Sequence, residues 1–280
     1  MSGSRASRWG FGTAAALVFG FLYLPLALIV LYAFNDTNIN AWPFPGFSTR
    51  WFQKLADDPV PREAAWLSVQ VAFCATLLAL LLGTAMAFGV ARYRFRGKGT
   101  LNFGVTLPII LPGVITGVAL ASFFLFAGID LAKQQVGPLA LPVTVIIGHT
   151  TFTIVIVFNN VMARLRRVSP SLEEASRDLG ASPWQTFRHV TFPTIRTALI
   201  AAALLAFALS FDEIAVTFFL AGADTTTLPL WIFGNFRQTT SLPEVNAVAT
   251  VVLVISIPMI GIAAWLMRDE SAGSRVVQGE

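Results

Sequence analysis

The sequence predicts an all-α membrane protein with six transmembrane helices. Hydrophobic residues make up 55% of the 280 residues and charged residues 12%, about half the charged fraction of a soluble domain. A bilayer core of ~30 Å is crossed by about 20 apolar helical residues. Helix is the predicted spanning element because free backbone groups find no partner in lipid. Six stretches are long and apolar enough: residues 11–34, 64–91, 103–127, 138–163, 193–221 and 246–267.

Lysine and arginine predict the orientation of these spans. With the N-terminus inside, the inner segments hold 14 of these residues and the outer loops hold 5. This excess follows the positive-inside rule and predicts that both termini are cytoplasmic. We therefore expect an N-terminal tail over 1–10, a membrane domain over 11–267 and a C-terminal tail over 268–280. Topology also explains the net charge of +4, which gives no reason to expect nucleic acid as a partner.

The outer segment over residues 35–63 and its flank carry three tryptophans, Trp42, Trp51 and Trp66. Tryptophan is enriched at the headgroup level of membranes. An anchor in lipid is one interpretation of this segment, and docking of a partner protein is the other.

The inner segment between spans four and five begins with a predicted short helix. Ser169 can cap the free N–H groups and Pro170 suits the first helical position. Gly180 ends this helix, where a left-handed residue is needed. Glu173 and Glu174 lie in its first turn, where the helix dipole favours anions. Spacings of three and four predict one shared face for Leu172, Ala175, Ser176 and Leu179.

A second short helix is predicted to follow directly. Ser182-Pro183 opens it, and Ser182 with Gln185 forms a capping box. Pro193 then marks the start of the fifth span. Together the two helices, at about 170–189, form a pair at the membrane face with a glycine corner between them.

The same segment resembles the EAA loop of permeases in ATP-binding-cassette importers. The residues that carry the resemblance are Glu174-Ala175-Ser176, Gly180 and Val190-Thr191-Phe192-Pro193, at the spacing of the family pattern. Ser176, Val190 and Phe192 replace the usual Ala, Ile and Leu. The resemblance implies a type I importer permease fold in which these are coupling helices that dock on an ATPase. By this resemblance the coupling residues are Glu174, Ala175, Ser176, Gly180 and Pro193.

The resemblance also implies the partners and the location. They are a separate ATPase in two copies, a second homologous permease and an extracytoplasmic solute-binding protein, in a bacterial inner membrane. Arg96-Gly97-Lys98-Gly99-Thr100 lacks the first glycine of a phosphate-binding loop and the Ser or Thr directly after the lysine. We therefore expect no cofactor in this chain and no enzymatic activity of its own, with ATP and magnesium bound by the ATPase.

Two carboxylates, Asp212 and Glu213, lie within the predicted fifth span. Ionisable groups inside a membrane are candidates for function because a lone charge there is costly. Near the outer end of the span they would favour a cationic substrate. The alternative is an ion pair with Arg237, with Lys133 or with a partner subunit.

Further motifs resemble the polyamine branch of these permeases. They include Ser210-Phe211-Asp212-Glu213, Phe218-Phe219-Leu220-Ala221-Gly222 and Phe34-Asn35. The branch implies spermidine, putrescine or a related cation as solute, and it makes Asn35 a further candidate along the path. Two positions depart from the branch: Gly113 stands where an acid is common after Pro112, and a usual proline is missing after Phe152.

His149 lies in the middle of the fourth span. It is predicted either to bond within the helix bundle or to line the path. An ion-coupled secondary transporter is a competing function, with Asp212, Glu213 and His149 as coupling groups. An intramembrane enzyme is another, although with two histidines and one cysteine no catalytic constellation is evident. A third alternative is an importer of the same kind for a different small solute.

Overall fold

A computed structural model describes residues 5–40, 43, 45–131, 135–136, 140–238 and 242–258. The predicted C-terminal tail, residues 259–267 of the sixth predicted span and residues 1–4 lie outside the described part. The α-helices are α1 (Arg5–Ala33), α2 (Arg50–Asp57), α3 (Pro59–Arg92), α4 (Lys98–Ile110), α5 (Gly113–Phe126), α6 (Val143–Arg167), α7 (Ser171–Asp178), α8 (Pro183–Thr186), α9 (Phe192–Phe211), α10 (Ala215–Leu220), α11 (Leu228–Phe236) and α12 (Leu242–Pro258).

The fold is mostly helical, and a minimal hairpin adds two short strands. Strand β1 (Gln135–Val136) pairs antiparallel with β2 (Leu141–Pro142), with Gln135 opposite Pro142. The chain is mostly helical, as its predicted fold class requires, but the hairpin was not predicted, and the fourth helix starts at Val143 rather than at 138.

Four helical stretches of the described residues are long and apolar enough to cross a membrane: Gly10–Ala33, Pro59–Arg92, Val143–Arg167 and Pro183–Phe211. They correspond to the first, second, fourth and fifth predicted spans. The sixth is described only as α12, a shorter apolar helix. The number of six spans therefore stays a prediction.

The third predicted span is not one straight helix. Helices α4 and α5 meet at a bend of 110°, and with the bend counted as one span the described residues hold up to five. Pro112 explains the break, because it has no N–H to continue the helix and forces its predecessor out of helical geometry. Leu111 is accordingly extended, with φ −75° and ψ 138°.

The fifth predicted span is also interrupted. Helix α9 ends at Phe211, and α10 begins only at Ala215. Asp212 is the C-cap residue of α9, with φ −92° and ψ 2°. The expectation of one continuous helix over 193–221 is therefore wrong, and the two acids lie in a break between helices.

The described residues form two compact units, one within Met1–Arg62 and Ile232–Ile262 and the other within Glu63–Trp231. The first packs around Ala33, Trp51 and Ala247. The second has an apolar cluster of α3, α4, α6 and α9 around Phe158, and another of α3, α5, α6 and α10 around Phe152.

Candidate functional site

The corner between α7 and α8 has the shape that its capping residues predict. Gly180 is left-handed, with φ +84°. The N–H of Gly180 donates to Arg177 O at 2.9 Å and that of Ala181 to Ser176 O at 3.1 Å, the bond pair of a Schellman motif. On the other side of the corner, Ser182 and Gln185 form the predicted capping box.

The apolar face of α7 points away from its own chain. Leu172 is 53% exposed and Leu179 is 89% exposed, and Trp184 in α8 is 66% exposed. Glu174 and Ala175 are exposed as well. An amphipathic helix ordinarily buries its apolar face against its own domain, so this face is free for a partner.

An adjacent side of α7 is held by polar contacts, and because Ser176 lies on it, Ser176 does not share the exposed face of Leu172 as predicted. Ser176 is half-buried, and its hydroxyl lies 3.1 Å from Thr186 Oγ1 in α8. Glu173 is buried. Its Oε1 accepts a hydrogen bond of 2.9 Å from Arg92 Nη2, and a second of 3.2 Å from Thr191 Oγ1.

The role of Glu173 is missed by the sequence interpretation, which places it only in the first helical turn. Arg92 precedes it by 81 residues, so no local spacing indicates the pair. The sequence signal for this pair was an arginine at the inner end of the second predicted span and an acid in the inner segment between spans four and five.

The second short helix does not end before the fifth span as predicted. Pro183–Phe211 is one continuous helical stretch with a π-helical turn at Phe187–Thr191. Pro193 has no N–H for the carbonyl four residues earlier. The π turn, in which Phe192 N–H donates to Phe187 O, lets the helix continue through this position.

Glu213 is a helix cap in the break after α9. Its Oε1 accepts a hydrogen bond of 2.8 Å from the N–H of Val216 in the first turn of α10. A Cβ placed on Gly113, at the start of α5, would lie 3.6 Å from the same oxygen. The breaks between α4 and α5 and between α9 and α10 are therefore neighbours. Asp212 is exposed.

His149 connects three helical segments inside the second unit. Its Nδ1 lies 2.7 Å from Ser210 Oγ in α9, and its Nε2 lies 2.7 Å from Thr217 Oγ1 in α10. The Thr217 hydroxyl donates to Glu213 O at 3.0 Å, so it accepts from the ring. A neutral imidazole with its proton on Nε2 satisfies both bonds. The expectation of a histidine bonded within the bundle is confirmed, and its role along a path stays a prediction.

A glycine next to this histidine packs against side chains of α10. A Cβ on Gly148 would overlap Leu220 Cδ1 and lie 2.9 Å from Val216 Cγ1. Real Cβ atoms do not approach so closely, so any side chain at this position would force the side chains of Leu220 and Val216 to move. The hydroxyl of Thr144, one turn earlier, donates to Leu220 O at 3.1 Å.

Asn35 belongs to the first unit and is fully buried. Its side-chain amide Nδ2 donates to Ile39 O at 2.8 Å, and its backbone carbonyl oxygen accepts from Trp51 Nε1 at 2.7 Å. Trp51 is 5% exposed, so it is not the free headgroup anchor that the sequence suggests, whereas Trp66 is exposed. Trp42 lies outside the described residues. A path role for Asn35 stays a prediction.

The comparisons with known proteins agree with this architecture. Residues 75–269 match the family model described as binding-protein-dependent transport system inner membrane component. The putrescine transport system permease protein PotI of Escherichia coli (strain K12) is 36% identical over 93% of this chain and 91% of its own length. The spermidine/putrescine transport system permease protein PotC of the same strain is 30% identical over 96% and 97%.

A solved structure shares the fold. A chain of a bacterial ABC transporter involved in the import of the acidic polysaccharide alginate superimposes with a TM-score of 0.73 at 16% identity, over 93% of this chain and 94% of that one. Fold, family model and relatives lead to one assignment. The chain belongs to the family of inner membrane components of binding-protein-dependent transport systems and is a permease subunit of an ATP-binding-cassette importer.

Proposed function

We propose that this subunit forms part of a translocation path for a polyamine and docks on a separate ATPase through the corner of α7 and α8. The observation that carries the docking proposal is the exposed apolar face of Leu172, Leu179 and Trp184 on a corner with a locked shape. Glu174 and Ala175 lie on the same exposed segment. Ser176, Gly180 and Pro193 are proposed to act by shaping it.

The rest of the assembly is proposed from the family. Two ATPase copies bind ATP and magnesium, a second homologous permease completes the path, and an extracytoplasmic binding protein delivers the solute. We place the subunit in a bacterial inner membrane with six spans and both termini in the cytoplasm. In this arrangement α4 with α5 counts as one span and α12 belongs to the sixth.

A polyamine is supported by two kinds of observation. The relatives PotI and PotC are described as putrescine and spermidine/putrescine permeases. In this chain Asp212 is exposed beside a break between two helices, and a carboxylate there attracts a passing cation. Glu213 is committed to capping α10, so Asp212 is the stronger candidate for substrate contact. His149 and Asn35 remain candidates of second rank.

Docking is tested by capture of the ATPase and by uptake. We expect Glu174→Ala to abolish ATP-dependent putrescine uptake in proteoliposomes that contain the complete transporter, while solute binding by the external receptor stays unchanged. Glu63→Ala is the matched control, because Glu63 is an exposed glutamate at the far end of α3. Normal uptake by Glu174→Ala would overturn the coupling proposal.

The substrate class is tested by transport kinetics. We expect Asp212→Asn to raise KM for putrescine about fivefold, because an exposed ion pair contributes up to ~1 kcal/mol. Asp57→Asn is the control, since it removes an exposed carboxylate from α2. An unchanged KM in Asp212→Asn would remove the proposed contact with a cationic solute.

A further inference from the structure

One carboxylate oxygen joins three helical elements of the second unit. Glu173 Oε1 lies 2.9 Å from Arg92 Nη2 and 3.2 Å from Arg92 Nε. The Thr191 hydroxyl donates to the same oxygen at 3.2 Å. The side chains of Arg92 and Glu173 are 16% and 10% exposed, and Thr191 is 3% exposed. This group of three residues is called the Glu173 node below.

The three residues of the node belong to three different helical elements. Arg92 is the last residue of α3, Glu173 lies in the first turn of α7, and Thr191 is the last residue of the π-helical turn that leads into α9. Helix α3 is 34 residues long and the Pro183–Phe211 stretch is 29. The node therefore connects the short helix α7 to two long membrane helices at one point.

Among the described residues, the node attaches α7 to α3 by polar contacts. The apolar face of α7 is exposed, and the Ser176 contact with Thr186 joins α7 to the start of the Pro183–Phe211 stretch but not to α3. Glu173 is buried and Arg92 is partly buried, and breaking such a pair is costly because separation leaves a charge without its partner and largely away from water. A displacement of α7 therefore moves α3 and the start of α9 with it, or it breaks the pair.

We propose that Glu173 is a positioning residue that passes the displacement of α7 to α3 and α9, and that Arg92 and Thr191 are its partners. The proposal rests on the proposed docking of α7 on an ATPase and adds the route by which movement at that surface reaches the membrane helices. It assigns Glu173 a role separate from that of its exposed neighbour Glu174, which faces the partner.

The test measures the number of ATP molecules hydrolysed per putrescine molecule imported by the complete transporter in proteoliposomes. We expect Glu173→Gln and Arg92→Gln each to raise this ratio about tenfold, within the range of coupling energies between contacting residues. The double variant should be no worse than either single variant, because both remove the same interaction. Arg94→Gln is the matched control, since Arg94 is exposed two residues after Arg92 and should leave the ratio unchanged.

Two readouts separate this role from a merely structural one. Thr191→Val keeps the ion pair and removes one hydrogen bond, so we expect a smaller rise of about twofold to threefold, and it serves where Glu173→Gln fails to assemble. Retention of the ATPase by each variant is measured in parallel and should be normal. A variant that retains less ATPase but has the wild-type ratio of ATP hydrolysed to putrescine imported would overturn the proposal. A double variant whose ratio rises by the product of the two single increases would also overturn it.

Failure of the docking proposal gives a different result. If the wild-type subunit retains no ATPase, the proposed function fails, and the inference about Glu173 fails with it. If the wild type retains the ATPase and Glu173→Gln has the wild-type ratio, only the inference about Glu173 is overturned.

Discussion

Replacement of His149 by leucine distinguishes a structural histidine from one that serves the substrate. Leucine keeps a side chain of similar size but removes both hydrogen bonds, to Ser210 and to Thr217, each of 2.7 Å. Interhelical hydrogen bonds in membranes contribute ~0.6 kcal/mol on average and up to ~1.7 kcal/mol. Two such bonds predict a loss of about 1–3 kcal/mol in the free energy of unfolding.

The partners left behind limit this loss. Thr217 keeps its bond to Glu213 O, and the Ser210 hydroxyl can turn to a carbonyl of its own helix. The assay is unfolding of the purified subunit in detergent, together with putrescine uptake kinetics. We expect lower stability for His149→Leu and an unchanged KM in the protein that remains assembled.

A double-mutant cycle locates the effect. Thr217→Val removes the acceptor of the ring N–H, so the combined loss with His149→Leu should be smaller than the sum of the single losses by about 0.6–1.7 kcal/mol. Full additivity would contradict the bond. Unchanged stability with a raised KM would refute the reasoning and would place His149 on the solute path.

Two glycine substitutions test the packing and the corner by the same unfolding measurement. Gly148→Val should lower the free energy of unfolding by about 1–3 kcal/mol, because its Cβ overlaps Leu220 and Val216. Gly104→Val is the control, since the space around its Cβ is open. Equal losses in the two variants would contradict the close contact between α6 and α10. Gly180→Ala should cost about 1 kcal/mol, since alanine is strained at φ +84°. Gly89→Ala, in open space within α3, should cost nothing, and a neutral Gly180→Ala would refute the left-handed corner.

Much of the local structure could be predicted because it depends on neighbours in sequence. The capping box of Ser182 and Gln185 and the left-handed Gly180 follow from backbone groups within one helical turn. Membrane spans are predictable for the same reason, since each apolar run satisfies its backbone within itself. The angle at Pro112 could not be predicted in this way, because the absence of one N–H indicates an interruption but not its angle of 110°.

The candidate site required the tertiary structure wherever two distant segments meet. Composition and periodicity do not show that the two helix breaks are neighbours, because this depends on the packing of α5 against α10. The sequence likewise cannot tell that the apolar face of α7 is the exposed one. Amphipathicity identifies the apolar face of a helix but does not identify the element that covers this face.

By itself, the sequence determined an apolar helical membrane protein with a glycine corner, since hydrophobic burial in lipid and helix capping act over a few residues. It also carried the motif that relates the corner to importer permeases. Only the tertiary structure decided which of the two glutamates of α7 is exposed and which is buried. Glu174 is exposed, whereas Glu173 reaches Arg92, 81 residues earlier in the chain. The physical reason is that an ion pair needs proximity in space, and the tertiary fold brings the end of α3 beside the first turn of α7.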